Sequence, residues 1–419
     1  MKKQELKNLI KINQAEAEQF KDSSKKKTKK IVNKLSKVLT VFIVIVILLG
    51  LLFIGAKQFA NVSMSNMTDW VKGIFLKASP GGGYPYTVTG DLIQSENVGP
   101  YLALVEKDKL VFLNSHAKDI FSYEHNFVDP VLKSKNGRAV FYCEGTTDFV
   151  VTSSSEILYG YDKTANVLDG GIITADIGHK GNIAFVSWSD EYACKISVFN
   201  QKLKEVFYYG FSSGRVADLS LSDDGKYLCA AVIDAENATL FTRLMVFDLT
   251  KSDPVADIKL SSQTAVEIEF LSGKNIELIT LSSVYSFNFA SDSEPEKTLD
   301  FSGSDLDKVA FDSSSSKSSL AVKEYSSNRD TIYLSNKLAT KFKTGEVDTV
   351  KAVSRSSKYT ACLTDHKIYC LKNSSRQLFE IDLNVNVDDI LVSYSKMYIF
   401  SGDQIYRVGL SRFTDFEVN

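Results

Sequence analysis

The chain has 419 residues, with 49 Lys plus Arg against 51 Asp plus Glu, a formal net charge of -2. Hydrophobic residues at 44% are too many for a disordered chain, six Pro and 23 Gly exclude a collagen-like or Pro-rich polymer, and five Cys exclude a disulfide scaffold. The small total hides an asymmetry: residues 1–37 carry twelve Lys and four acids, a net of +8, and the rest of the chain carries a net of -10.

Residues 1–37 read as a basic tail, with Lys21, Lys25, Lys26, Lys27, Lys29, Lys30, Lys34 and Lys37 at its end. Val38 to Ala56 follows, nineteen residues without a charge, fenced by Lys37 and Lys57. A helix of that length is about 28 Å long, close to a bilayer core. A buried helix of a globular domain would keep a polar stripe, and this segment has none. A cleaved signal peptide fits poorly, because a long segment precedes it and the nearest small-residue site, Ile54-Gly55-Ala56, opens on a bulky residue. The sequence therefore predicts a transmembrane helix over 38–56. The Lys cluster before it puts the N-terminus in the cytoplasm and the rest of the chain outside the cell membrane. A Lys-rich tail attracts anionic lipid at about 1 kcal/mol per Lys. With no Arg and Phe20 as its one aromatic, it is poorly built for nucleic acid.

Residues 57–83 read as a stalk. Phe59, Val62, Met67, Trp70, Val71, Ile74 and Phe75 recur at helical spacing, which predicts an amphipathic helix. It faces either the outer leaflet or the domain that follows. Pro80 and three Gly at 81–83 end it.

From Tyr84 the pattern changes to short alternating apolar segments between Gly, Asn, Asp and Ser turns, the mark of antiparallel strands. Turns fall near Gly99, Gly137, Gly181, Gly225, Gly273, Ser316, Ser357 and Ser395, at steps of 38 to 48 residues. A second marker is an apolar strand closing on Asn, Asp or Gly. It begins at Val111-Phe112-Leu113-Asn114 and Leu158-Tyr159-Gly160-Tyr161-Asp162 and recurs to Ile405-Tyr406-Arg407-Val408-Gly409. Both markers give eight units of about 42 residues, the size of a four-stranded propeller blade. One such sheet cannot cover both of its faces, whereas sheets arranged radially cover one another. The innermost strand of the first unit is expected within Tyr86 to Ile93, with closure on the N-terminal side. Two packed β-sandwiches would show similar strands without the steady period.

The turn Ser222-Asp223-Asp224-Gly225-Lys226-Tyr227-Leu228, followed by Leu244-Met245-Val246-Phe247-Asp248-Leu249, resembles blades of WD40-like and YVTN-like propellers. The layout of basic tail, one span, short stalk and degenerate propeller resembles a family of uncharacterised single-pass membrane proteins of Gram-positive bacteria. That resemblance implies a fold and a topology and no activity.

Motifs for chemistry are sparse. His116, His125, His179 and His366 show no metal-ligand spacing, and no Gly-x-Ser-x-Gly elbow or phosphate loop occurs. Asp223-Asp224-Gly225 lacks the other ligands of a calcium loop and reads as a surface turn. No catalytic, cofactor-binding or metal-ligating residue is assigned. Cys143, Cys229 and Cys362 fall within second strands and read as small buried hydrophobes. Cys362 and Cys370 flank His366 symmetrically, so an odd-length loop would bring them opposite each other, open to a cross-strand disulfide.

The expected fold is all-β, a β-propeller with eight blades ahead of seven, after an N-terminal transmembrane helix. The domains are 1–37, 38–56, 57–83 and 84–419. The expected function is a membrane-anchored extracytoplasmic scaffold that binds an envelope protein or a cell-wall polymer. The alternative is a cell-envelope hydrolase or lyase with its site at the channel mouth, since propellers gather carboxylates there from several blades. A cluster of inward-facing Asp, Glu, His or Arg at one channel mouth points to the enzyme; a channel plugged by apolar side chains, with an apolar patch on one rim, points to the scaffold.

Overall fold

The computed structural model describes residues 80–411, except 166, 313–316, 326–329, 335–340, 345–348 and 376. The basic tail, the apolar segment 38–56 and most of the stalk lie outside the described residues. Among the described residues no helix is long and apolar enough to cross a membrane.

The chain forms eight four-stranded antiparallel sheets. Strands are lettered a to d from the innermost outward, and blades are numbered from the first complete one. The innermost strands are Leu92–Val98, Pro130–Lys135, Ile172–Ile177, Arg215–Leu221, Ala265–Ser272, Ser304–Asp312, Val350–Arg355 and Asp389–Ser393. Seven blades are consecutive meanders. The eighth takes strands a to c from the C-terminal end and its outermost strand, Tyr86–Thr87, from the N-terminal side, in register Tyr86↔Ile405 and Thr87↔Gln404. The ring is thus an eight-bladed propeller closed by strands far apart in sequence.

This corrects one expectation. Closure does lie on the N-terminal side, but the run from Tyr86 to Ile93 is split between two blades. Thr87 ends the last blade, and Leu92 begins the first by pairing with Glu106. The break falls at Gly90, where a Cβ would lie 2.6 Å from the Glu106 carboxylate.

The repeated turns have physical causes. Gly99, Gly137, Gly181, Gly225 and Gly273 each occupy the a–b connection of their blade, all in left-handed backbone. At Gly225, with φ +64°, the N–H donates to the Ser222 carbonyl and closes a tight turn that a Cβ would strain. Ser357 and Ser395 stand at the same place in blades 7 and 8; Ser316 lies outside the described residues. The second marker is the end of strand c. Asn114 Oδ1 accepts the N–H groups of His116 and Lys118, and Asn200 Oδ1 those of Lys202 and Lys204. The side chain replaces a backbone acceptor and turns the chain toward strand d. Blade 2 departs from this. Its third strand is Phe149–Ser153, and the matched segment at Leu158 falls on its fourth strand, Ile157–Tyr159, and a one-turn helix, Tyr161–Thr164.

The core lies between blades. Strand b of blade 1, Tyr101–Glu106, and of blade 7, Tyr359–Thr364, are buried at every residue, because each is covered on both faces. Cys143, Cys194, Cys229, Cys362 and Cys370 are all buried free thiols. The possible Cys362–Cys370 bridge is excluded by register. The loop is even, with Asp365 and His366 at its tip, so Cys362 pairs with Tyr369 and Cys370 with Ala361. A one-residue offset puts the two sulfurs on opposite faces of the sheet, and they pack in different inter-blade clusters.

Up-and-down order gives the ring two faces. One carries the a–b and c–d turns; the other carries the b–c turns and the connections between blades, and is called the loop face below. The described chain enters beside a c–d turn, where Gly83 N–H donates to the His116 carbonyl at 3.0 Å.

Candidate functional site: the lumen and the loop face

An innermost strand has one unpaired edge, whose N–H groups need acceptors. Side chains from the preceding blade supply them. Gln94 Oε1 accepts from Leu132 N–H at 2.9 Å, Asp176 Oδ2 from Leu221 N–H at 2.8 Å, and Asp218 Oδ2 from Ile268 N–H at 3.0 Å. Ser220 Oγ accepts from Phe270 N–H at 3.2 Å and donates to Glu269 Oε2 at 2.7 Å. Ser354 Oγ accepts from Val392 N–H at 2.8 Å. These polar residues lace neighbouring blades together around the lumen.

The same positions carry a concentration of charge in blades 1 to 5: Glu96, Lys133, Lys135, Asp176, Asp218, Glu267 and Glu269. Glu96 accepts from Ser134 Oγ at 3.3 Å, and Lys135, itself buried, donates to the Leu221 carbonyl at 3.4 Å. Burial pushes the carboxyls up: Asp218 to about 6, Glu96 and Glu267 to about 7, and Glu269 to about 8, each partly offset by Lys133 or Lys135. Burial works against the Lys133 charge, but Asp218, Tyr142, Glu267 and Glu269 outweigh it and raise its pKa. Lys133 lies on blade 2, and its acidic partners lie on blades 4 and 5, so its field reaches past blade 3 across the lumen.

The second feature is the loop face. Among the described residues, six exposed large apolar side chains lie in its loops: Val128, Trp188, Tyr192, Leu281, Tyr325 and Val385. In the described turns of the other face Tyr394 is the one counterpart. Blade 3 fixes the aromatic pair. Trp188 N–H donates to the Gly171 carbonyl at 2.9 Å, and the Arg215 guanidinium stacks 4.2 Å from the indole centroid. The Tyr192 ring lies flat on Gly210, where a Cβ would be 2.5 Å from it.

The four histidines are dispersed. His116 lies in a c–d turn and His366 in a b–c turn, on opposite faces. His125 Nε2 lies 3.1 Å from the Glu106 carbonyl against Phe127 and Phe141, and burial holds its pKa down. His179 Nε2 sits 3.3 Å from Asp223 Oδ1, joining blades 3 and 4; burial lowers its pKa against the pull of Asp223. Asp224 Oδ1 accepts from the Ser222 hydroxyl and from Lys226 N–H, so that turn uses its carboxylate locally. Among the described residues no grouping of His, Cys, Asp and Glu is placed to hold a metal ion. The lumen charges were not singled out from sequence. Their signal is a polar pair at alternate positions of the first strand in blades 1 to 5, a few residues ahead of the turn glycine.

Several solved structures are similar to this chain at low identity. BamB from Moraxella catarrhalis is similar at 10% identity and a TM-score of 0.47, over 77% of this chain and 100% of that one. The C-terminal WD40 domain of Sif2 is similar at 11% identity and a TM-score of 0.45, over 79% and 86%. PorZ of Porphyromonas gingivalis is similar at 13% identity and a TM-score of 0.39, over 78% of this chain and 38% of that one. No curated protein sequence matches. A family model described as "Family of unknown function (DUF5711)" matches residues 88–410.

Proposed function

The chain belongs to the DUF5711 family of unknown function, and on that footing we propose that it is a membrane-anchored propeller whose loop face binds an envelope protein outside the cell. One observation carries the reading: the exposed apolar loop residues concentrate on one face, six against Tyr394 on the other, among the described residues. Apolar side chains gathered on one rim mark interaction surfaces, and Trp, Tyr and Arg are the residues most often dominant in binding energy. The first described residues, at Gly83, lie beside the other face. Anchoring rests on the charge-free segment 38–56 and the Lys cluster before it. A cell-wall polymer is the other partner that fits this placement.

The lumen carboxyls near neutrality supply the observation behind a second reading, a hydrolase or lyase with acid–base groups in the channel. Against it, Asp176, Asp218 and Glu269 are engaged in bonds between blades.

The test places photocrosslinking residues in the full-length chain in cells, at Leu281 and Val385 on the loop face and at Tyr394 opposite. The docking reading expects a discrete envelope-protein adduct from the first two and none from Tyr394. Equal labelling at all three, or adducts from none, overturns it. Adducts to glycan in place of protein shift the partner to the cell wall. Anchoring is tested separately: the chain should stay with membranes after a high-salt wash, and release into the soluble fraction refutes it.

A further inference from the structure

The flank of blade 3 is aromatic and uncovered, and its neighbour explains why. Strand d of blade 3, Glu205–Phe211, has seven residues, whereas strand d of blade 2, Ile157–Tyr159, has three. The short strand meets blade 3 near its c–d turn, where the Tyr159 hydroxyl donates to the Gln201 carbonyl at 2.7 Å. Nearer the loop face Val206, Tyr208 and Tyr192 stay exposed. Phe207, Tyr209 and Phe211 turn the other way, into the core shared with blade 4. Tyr208 and Gly210 alternate with them and so look toward blade 2, about 7 Å apart along one face of the strand. Gly210 makes room for the second ring: Tyr192 rests on its backbone, where a Cβ would be 2.5 Å away. The loop that carries Tyr192 is fixed by Ser189 Oγ, which accepts from the N–H groups of Glu191 and Tyr192 at 3.2 and 3.3 Å.

Two tyrosine rings side by side on a flat sheet complement a ligand with flat, C–H-bearing faces and polar groups around its rim. A pyranose ring is such a unit. Its C–H bonds carry partial positive charge and stack on the negative face of an aromatic ring, while its hydroxyl and amide groups stay in water. Charge narrows the class. Lys195 Nζ lies 5.3 Å from the Tyr208 centroid, and Asp169 and Glu205, each 3.8 Å from it, take up its charge. Asp190 and Glu191 are exposed beside Tyr192, so the surface is slightly acidic and repels a polyanion. We infer that the flank of blade 3 is a docking platform for a neutral glycan chain, with neighbouring sugar rings stacked on Tyr192 and Tyr208. The platform shares only Tyr192 with the loop face. Crosslinks from Leu281 and Val385 report on the protein partner, and purified sugars report on this surface, so either can fail without the other.

The experiment titrates the purified full-length chain with chito-oligosaccharides, from the disaccharide to the hexasaccharide, by calorimetry. Saturable binding is expected, tightening with length until both rings are covered and indifferent to salt, as suits a neutral ligand. Tyr208→Ala should weaken it about tenfold, the loss of one stacking contact, whereas Tyr208→Phe keeps the ring and most of the affinity. Gly210→Ala should weaken it as much by displacing the Tyr192 ring. Tyr208 is exposed, so its variants should unfold at the same temperature as the parent, and they carry the test if Gly210→Ala does not fold. No saturable binding at any length, or equal affinity in Tyr208→Ala, overturns the inference. So does capture of a Lys-rich peptide in place of the sugars, lost at high salt, which would make the surface an acidic peptide dock.

Discussion

Asn237 and Ala238 form the tip of the long b–c hairpin of blade 4, with φ +52° and +64°. Two consecutive left-handed residues make the hairpin turn that matches strand twist, and the usual second residue is glycine. Alanine in that backbone puts its Cβ against a carbonyl oxygen, at a cost of about 1–2 kcal/mol, while glycine gives back part through its looser unfolded chain. Ala238→Gly should therefore raise the denaturant midpoint, by about 0.5–1 kcal/mol of stability, at unchanged m-value; an unchanged or lower midpoint refutes this. The lesson extends to the lumen. Ala238 is legible as an exception because turn chemistry is local. Lys133 is not, because its sequence neighbours read as ordinary strand alternation. Whether a lysine there meets solvent or a lumen depends on blades 4 and 5, more than eighty residues on.

At the scale of elements, the closing strand governs the most. Tyr86–Thr87 is the whole outer strand of blade 8, too short for any periodicity to reveal. Its neighbourhood secures it. Tyr84 packs with its ring centroid 5.5 Å from that of Tyr398, and its hydroxyl donates to the Asn114 carbonyl at 3.4 Å, tying the first and last blades. A chain beginning at Val88 should leave Gln404–Gly409 as an unprotected edge. Amide exchange in 404–409 should then speed up relative to a chain beginning at Pro80, with blades 3 to 5 unchanged. Equal protection in both would show that the ring closes by other contacts. Five a–b turns were legible because each places a glycine in left-handed backbone at a fixed point of its blade. Strand c of blade 2 was not, because Phe149–Ser153 ends on serine where other blades show Asn, Asp or Gly. The Cys362–Cys370 pair failed for a related reason: symmetry about His366 does not fix whether a loop is odd or even, and that parity decides the face.

For the molecule as a whole, the lumen sets the pH response. Asp218 titrates near 6, Glu96 and Glu267 near 7, and Glu269 near 8 in the folded chain, against about 4 for free carboxyls. Burial is the main cause; Lys133 and Lys135 pull the other way and Asp176 adds to it. Raised carboxyl values mean that the folded state binds more protons than the unfolded state between about pH 4 and pH 8. Stability therefore falls as pH rises through that window, by up to about 1.4 kcal/mol per pH unit for each group fully in play. This is opposite to a protein whose carboxylates are held ionised by ion pairs. Denaturant midpoints should decline from about pH 6.5 to pH 8, above the range in which the depressed His125 and His179 work the other way, and Glu269→Gln, which keeps an acceptor for Ser220 but cannot ionise, should flatten that decline. A midpoint that climbs over the same range would mean that Lys133 and Lys135 hold these groups ionised, and that the lumen is a closed set of ion pairs.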